Sequence, residues 1–564
     1  TDHGQRLKVG YDDKNRVTRF VSEVDGSSIV TEYVYGDLNN GQMPDYPYGV
    51  KLDGNQILSY AYDSLGRMTS RTVDLGTDYR TAYGFLDNTD GTTTTLVDEV
   101  TESVDGASHV WSYTYDERGN ITEIHLDSEL LYRYSYDNLD QLVQEEDHVT
   151  DRLHVYTYDA GGNRTSHRIC DLSDPWDPLS VDSYAYGDAG WKDKLTAYNG
   201  ESITYDEIGN PLTWRDGAAL SWQHGRELAS YTKGGETYTY RYDEDGYRVA
   251  KQHGDTITTF YLNGSSVLTQ KTGDERIDFL YDDNSQLLGL KYNGTAYYYR
   301  KNLQGDIIGI LDPDGEQVVS YTYDAWGNPT SCTGSLASTI GQKNPFRYRG
   351  YYYDTESGLY YLNSRYYDPE VGRFINADEG ISLIQGILGA NIFAYCNNCP
   401  VLYEDNLGTF INIKIIRRIQ QKVYQRFKKI IIKAKSKARS KNGLDTRGEP
   451  NSTAWSPNGT TKREYGPDGR AVKDTDYTNH GNPKEHPDVP HEHDWTWEGE
   501  ASHRGKAHPP KKNTNLILGG VLVVGAGLGI LWVTLNDATI VGVADDTTVP
   551  VLLEIFGSGW EMIK

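Results

Sequence analysis

The sequence predicts a mainly β protein, in which repeated β-hairpins share one sheet that coils into a shell or spiral. Its 564 residues include 46 Tyr and 58 Gly but only 10 Phe and 3 Met. Tyr packs well on a pleated strand and Gly takes the positive-φ positions of turns, so short strands are favoured over a helical bundle. The second observation is a repeated motif, Tyr-x-Tyr-Asp-x-x-Gly, and the third is a change of composition near residue 408.

Each part of the repeated motif has a structural role. Tyrosines two residues apart lie on one face of a strand, the Asp binds amides of the turn, and the left-handed Gly closes the hairpin. One hairpin cannot bury its own face, so stacked copies must share a sheet, which coils because strands twist. The motif aspartates are Asp63, Asp116, Asp137, Asp159, Asp206, Asp243 and Asp324, and the glycines are Gly66, Gly119, Gly162, Gly209, Gly246 and Gly327.

Charge and tyrosine both divide the chain near residue 408. Residues 1–408 hold 32 Lys and Arg against 64 Asp and Glu, whereas residues 409–564 hold 23 against 17. The first part also contains 43 of the 46 Tyr. We therefore predict a domain boundary at 408. Because the chain opens on Thr1 inside a repeat, without Met, we expect it to be the C-terminal piece of a longer protein.

A non-repetitive signature follows the repeats, as RGYYYD (349–354), GLYYLNSRYYDP (358–369) and GRFINAD (372–378). With these motifs, residues 1–408 resemble the YD repeats and associated core of the Rhs family. The resemblance implies a hollow β-shell over 1–340, an Rhs core over 341–408 that closes it, and a variable C-terminal toxin after the core. The helical pattern described below makes this smaller C-terminal region α-containing. It also implies a secreted or cell-surface polymorphic toxin of a bacterium, with a cognate immunity protein. The other interpretation of the repeats is a surface adhesin whose tyrosines bind glycans.

The resemblance also implies an aspartyl self-cleavage site. In the family an Arg and two Asp of the core are linked to autoproteolysis, and by motif they match Arg365, Asp378 and Asp405, with cleavage near Leu407. Two carboxylates that share a proton can act as base and acid. The Asp-Pro-x-Gly elements of the family lack Pro here, and the two aspartates are 27 residues apart. The alternative is that these aspartates only cap turns of a structural core.

The C-x-x-C pair Cys396 and Cys399 lies in the same core. Since no second pair of soft ligands is nearby in sequence, a buried pair of thiols is favoured over a zinc or redox site.

Residues 409–461 are predicted to form a basic amphipathic helix and a linker. The stretch 411–441 contains 12 Lys or Arg and no acid, with apolar residues at steps of three and four. Such a helix can bind nucleic acid, lie on an anionic membrane, or neutralise the acidic shell.

Residues 462–510 form a histidine-rich cassette, since 6 of the 14 His lie between 480 and 508. His491 and His493 point the same way if they lie on a strand, and His480 and His486 are within reach. With a carboxylate such as Asp494, they offer acid and base catalysis of phosphodiester cleavage, as in a nuclease. The alternatives are a divalent metal bound by His-x-His, or solvated histidines that cap turns.

Residues 511–564 are apolar. The 20 residues from Leu516 to Leu535 carry no charge and contain five Gly. This length predicts a transmembrane helix, and with it a membrane-active effector in place of a nuclease. The alternative is a glycine-rich apolar hairpin packed inside the folded protein.

Overall fold

The computed structural model of the chain describes residues 4–88, 92–104, 106–378, 390–408, 412–413, 444, 447–456, 461–476, 491–498, 501–504, 521–526, 529–534 and 539–541. The chain divides into two compact units, Thr1–Phe427 and Lys428–Lys564. They are described separately below.

The first sheet of unit one has seventeen strands within the described residues. Each strand pairs antiparallel with the next one along the chain. The strands are Gln5–Tyr11 (β1), Val17–Val24 (β2), Ser27–Tyr35 (β3), Pro47–Leu52 (β4), Asn55–Tyr62 (β5), Met68–Val73 (β6), Tyr79–Gly84 (β7), Glu99–Val104 (β8), Ala107–Tyr115 (β9), Ile121–Leu126 (β10), Glu129–Tyr136 (β11), Leu142–Asp147 (β12), Arg152–Tyr158 (β13), Arg164–Asp171 (β14), Asp174–Ala185 (β15), Ala197–Tyr198 (β16) and Glu201–Ser202 (β17).

The second sheet continues the same meander with thirteen described strands. Its pairings again join sequence neighbours. The strands are Thr213–Trp214 (β18), Ala218–Gln223 (β19), Glu227–Lys233 (β20), Glu236–Tyr242 (β21), Arg248–His253 (β22), Thr256–Asn263 (β23), Ser266–Thr272 (β24), Glu275–Tyr281 (β25), Leu287–Tyr292 (β26), Thr295–Lys301 (β27), Ile307–Leu311 (β28), Gln317–Tyr323 (β29) and Pro329–Thr333 (β30).

The turns of the repeats confirm the roles predicted for Asp and Gly. Asp116 Oδ1 accepts from the backbone N–H of Arg118 at 2.9 Å and of Asn120 at 2.8 Å, and Gly119 has φ +84°. The other six motif aspartates accept the same two amides. At the third repeat Asp140, with φ +62°, takes the glycine position, as Asp tolerates this region better than most side chains.

The two tyrosines of the motif have different structural roles. The first one is buried, as at Tyr134 and Tyr156. The hydroxyl of the second donates to a backbone carbonyl at the start of an earlier strand, as Tyr136 does to Ile121 at 2.7 Å. The same bond recurs at Tyr158, Tyr242, Tyr281 and Tyr323. A phenylalanine ring would fill the same space but has no hydroxyl to donate. The tyrosine hydroxyl therefore provides a hydrogen bond between one repeat and the next.

The core segment, residues 341–408, contacts turns of both sheets. The Tyr360 hydroxyl donates to Gly327 O at 2.8 Å, and Asn398 Nδ2 donates to Gly162 O at 2.7 Å. Rings of the segment join repeat side chains in one buried cluster. This segment therefore joins the two sheets, as expected for a part that closes a shell. Its strands are Tyr352–Asp354 (β31), Leu359–Tyr361 (β32), Tyr366–Asp368 (β33), Arg373–Phe374 (β34) and Tyr403–Glu404 (β35), which pairs with Asn412–Ile413 (β36).

Helical structure in the described part of unit one is limited to single turns. They include the 3₁₀ turns Leu38–Asn40, Arg215–Gly217, Tyr348–Gly350 and Cys396–Asn398, and the π turn Ala337–Gly341. Residues 412–413, at the start of the predicted basic helix, form strand β36. Residues 414–441 lie outside the described residues, so the helix stays a prediction.

The described part of unit two is built of strands. Five form one sheet, Thr453–Trp455 (β37), Thr461–Tyr465 (β38), Ala471–Asp476 (β39), His491–Glu498 (β40) and Ala501–Arg504 (β41). Three form another, Val521–Ala526 (β42), Gly529–Thr534 (β43) and Thr539–Val541 (β44).

The transmembrane helix predicted between Leu516 and Leu535 is not supported. Within that span the described residues form the antiparallel pair β42 and β43, in which Ala526 is opposite Gly529. In the part of the chain that the structure describes, we find no helix with the length and hydropathy of a membrane span. Valines favour strands and the glycines favour a tight reversal, which hydropathy alone does not reveal. Leu516 and Leu535 themselves lie outside the described residues.

Candidate functional site

Arg365 brings the two predicted aspartates of the core together. Its Nη2 lies 3.2 Å from Asp378 Oδ2 and 3.2 Å from Asp405 Oδ2. The guanidinium is buried and stacks 3.5 Å from the centroid of the Phe374 ring. Burial, the largest effect, lowers the pKa of Arg365, while the two carboxylates oppose this shift. Since Arg has so high an ordinary pKa, it stays charged between the two acids.

Short strands of the core segment position these three side chains. Arg365 precedes β33, Asp378 follows β34, and Asp405 follows β35. The backbone N–H of Asp405 donates to the Tyr351 hydroxyl at 2.8 Å, and that of Asp378 donates to Ile392 O at 3.1 Å. Asp405 is 1% exposed, whereas the Asp378 side chain is 17% exposed. The pair thus has one enclosed carboxylate and one that reaches solvent.

Residues 363–365 hold the backbone carbonyls of residues 406–408. The bonds run in register: Asn363 Nδ2 to Asn406 O at 3.2 Å, Ser364 Oγ and N to Leu407 O at 2.7 and 3.3 Å, and Arg365 Nε to Gly408 O. Residues 406–408, where cleavage is predicted, are therefore held against Arg365, which contacts both aspartates.

Gly408 is required by this close approach. Its φ is +71°, and a Cβ there would lie 2.7 Å from Ser364 Oγ and 2.8 Å from Leu362 O. A cavity of about 290 Å³ borders the same segment, with Asn406 and Leu407 in its lining. Water therefore has room beside this segment.

The sequence reasoning nominated Arg365, Asp378, Asp405 and Leu407, and the structure places all four in one site. It assigned no role to Asn363 or Ser364. The only sequence feature that points to these two residues is their position directly before Arg365 within GLYYLNSRYYDP.

Cys396 and Cys399 are buried thiols without a disulfide. Burial raises the pKa of Cys396 well above its ordinary value and that of Cys399 to about 12. Both thiols are therefore protonated at neutral pH. Across the described ranges, no group of three or more His, Cys, Asp or Glu is placed to hold a metal ion.

In the histidine cassette, His491 and His493 lie on strand β40, which pairs with β39. His493 is buried at 4% exposure, while Asp494 is exposed on the opposite face of the strand, so the structure separates these two predicted partners. His480 and His486 lie outside the described residues. His493 is instead opposite Asp474 in the register.

A buried row crosses three strands at this point. Arg463 on β38 is opposite Asp474 on β39, and its Nε and Nη2 donate to the two carboxylate oxygens at 2.6 and 2.7 Å. Its guanidinium also lies 4.4 Å from the centroid of a Trp495 ring. Sequence reasoning missed this arginine and aspartate because cross-strand register is not readable from an isolated charged pair.

An array of YD turns joined by one core segment defines the class of YD-repeat shell proteins. A family model described as Teneurin YD-shell matches residues 102–401, more than half of the chain. The chain therefore belongs to the teneurin YD-shell family, a family of the Rhs and YD-repeat type.

The curated relatives include bacterial toxins and nucleases. The tRNA3(Ser)-specific nuclease WapA of Bacillus spizizenii is 37% identical over 284 residues, which cover 49% of this chain and 12% of that protein. Double-stranded DNA deaminase toxin A of Burkholderia cenocepacia is 25% identical over 345 residues, 54% of this chain and 22% of the toxin. The chain thus matches only a small part of each relative's length.

The crystal structure of TcdB2-TccC3-TEV has the same fold. It matches with a TM-score of 0.56 at 19% identity, over 72% of this chain and 21% of that one.

Proposed function

We propose that the chain is part of a bacterial polymorphic toxin of the Rhs type, in which residues 1–408 form a shell that carries an effector. The family membership and the two bacterial relatives support this proposal. It places the protein outside the producing cell or at its surface, and gives it a cognate immunity protein. The relatives also support nucleic acid as the class of target.

We further propose that the core cleaves the chain near Leu407. The observation that carries this is the contact of Arg365 with both Asp378 and Asp405, beside carbonyls held by residues 363–365. One carboxylate takes a proton from water while the other, protonated, gives one to the leaving nitrogen. Arg365, which contacts both members, holds the two carboxylates together and offsets their mutual repulsion.

Self-cleavage is tested by expressing the full chain and measuring fragment masses. The wild type should yield a fragment of about 407 residues, by the cleavage position stated above. Asp378→Asn and Asp405→Asn should each leave the chain intact. Asp140→Asn, in an exposed repeat turn, is the matched control and should be cut normally. An uncut wild type, or normal cutting of both site variants, refutes the proposal.

For the effector we propose nucleic acid cleavage that depends on the histidine cassette. Support comes from the name of the WapA relative and from the placement of His491 and His493 on one strand. The test is inducible expression of the full chain in a bacterial host, with RNA and DNA integrity and membrane potential followed together. Degraded nucleic acid that His493→Ala abolishes supports the proposal, with exposed His224→Ala as the control. Depolarisation that survives His493→Ala, with intact nucleic acid, refutes it and favours a membrane-active effector.

A further inference from the structure

We propose that Ser364 is a catalytic residue of the self-cleavage reaction and that the bond cut is Leu407–Gly408. This inference rests on the proposed self-cleavage and names the group that stabilises its transition state. No other carbonyl of the segment 406–408 accepts from two donors in the bonds that residues 363–365 make to it. The Leu407 carbonyl accepts from the hydroxyl of Ser364 and also from its backbone N–H, which Leu407 shares with Leu362 O, the nearer acceptor at 2.8 Å.

Two convergent donors on one carbonyl oxygen form an oxyanion hole. When water attacks a peptide carbonyl, the oxygen gains negative charge, and preorganised donors about 2.7 to 3.1 Å away stabilise that charge. Ser364 Oγ lies at 2.7 Å and its N–H at 3.3 Å. The N–H also donates to Leu362 O at 2.8 Å, so the hydroxyl is the stronger of the two donors to Leu407 O.

The placement of the hydroxyl excludes a nucleophilic role for Ser364. Its Oγ contacts the carbonyl oxygen as a donor, so it faces the atom that gains electrons and not the carbon that is attacked. The nucleophile is water, for which the adjoining cavity of about 290 Å³ has room.

The step balances with the groups in the site. The water oxygen bonds to the Leu407 carbonyl carbon, its proton passes to the ionised carboxylate of the Asp378 and Asp405 pair, and the carbonyl electrons move to the oxygen held by Ser364. The protonated carboxyl then donates to the Gly408 nitrogen and the C–N bond breaks. The products are a Leu407 carboxylic acid and a Gly408 amine; the proton of the acid then passes to the amine, which leaves a carboxylate and an ammonium group. Arg365 keeps Gly408 in place through its carbonyl during this step.

The test is a pulse–chase of the full chain in cell-free translation, with cleavage timed by gel and the cut identified by mass spectrometry. Ser364→Ala should slow cleavage about tenfold or more while leaving residual cutting, because the backbone donor remains. Ser364→Thr keeps the hydroxyl and should restore most of the rate. Ser221→Ala, which removes an exposed hydroxyl on β19, is the control and should cleave as the wild type does.

The outcomes separate the two proposals. An uncut wild type refutes self-cleavage and this inference together. A wild type that is cut, with Ser364→Ala cut at the same rate, refutes only the role of Ser364. Complete loss of cutting in a folded Ser364→Ala chain also refutes a donor role, and a cut at another bond refutes the assignment to Leu407–Gly408.

Discussion

Arg248 on strand β22 and Asp354 on strand β31 form a buried, two-point ion pair across 106 residues of chain. Nη1 lies 2.6 Å from Oδ2 and Nη2 lies 3.2 Å from Oδ1, and the two side chains are 1% and 0% exposed. The pair joins the second sheet to the core segment. Neutralising one partner leaves the other charge buried.

We therefore expect Asp354→Asn to destabilise the protein by about 3 to 5 kcal/mol. Urea unfolding followed by tryptophan fluorescence measures the shift. Glu23→Gln, which breaks the exposed contact of Glu23 with Lys8 at 3.7 Å, should cost no more than about 1 kcal/mol. Equal shifts for the two variants would show that the buried pair has no special role.

The buried carboxyl of Asp324 predicts a pH dependence. Burial raises the pKa of Asp324 from its ordinary 3.8 to about 7. The folded protein then holds a proton that the unfolded chain loses, so this contribution is fully present below pH 3.8 and is lost as the pH rises toward 7. The slope is at most about 1.4 kcal/mol per pH unit for one proton.

Asp324→Asn removes this contribution together with the effect of the Asp324 charge on buried Glu145, whose pKa burial and Asp324 both raise, so the two changes have the same sign. The wild type minus variant difference in unfolding free energy should decline between pH 4 and pH 7. Burial lowers the pKa of His154 to about 3, which gives the opposite slope below pH 6.5, but His154 is present in both proteins and its effect cancels. A difference that stays constant with pH would contradict the prediction.

We expect Gly408→Ala to block self-cleavage. A Cβ at this position meets Ser364 Oγ and Leu362 O and also strains the positive φ, so the segment must leave its donors. The fragment yield on a gel measures the effect. Gly26→Ala has a similar φ of +77° with nothing within 4 Å of the added carbon, and its cleavage should be normal.

Tyr136→Phe should destabilise the first sheet by about 1 kcal/mol, because the Ile121 carbonyl loses its donor. Tyr11→Phe, at a tyrosine that is 58% exposed, should change the unfolding midpoint little. If both variants unfold alike, the hydroxyl bonds between repeats do not contribute to stability.

Local features of the fold could be predicted and long-range ones could not. The turn of Asp116 and Gly119 is readable because donor and acceptor lie within five residues. The bond from the Tyr136 hydroxyl to the Ile121 carbonyl could not be predicted. Tyrosine spacing shows which face of the strand a side chain lies on, but not which carbonyl its hydroxyl will contact.

The same contrast between local and long-range features applies to the candidate site. Arg365, Asp378 and Asp405 came from motif resemblance, which carries family geometry that composition does not. Ser364 was missed because its contact is with a carbonyl 43 residues away. The apolar span before Leu535 was wrongly predicted as a helix because a long uncharged run has the same hydropathy in a helix and in a hairpin.

The order of the strands along the chain determines when each part of the fold can form during translation. Every described strand from β1 to β17, and from β18 to β30, has its partner next to it in sequence, so each hairpin can join the growing edge soon after it leaves the ribosome. The segment that links Gly162 to Asn398 and Gly327 to Tyr360 is translated only after both sheets exist. Arg365, Asp378 and Asp405 are thus made only after the repeats, so the proposed self-cleavage would follow synthesis of the segment that joins the two sheets.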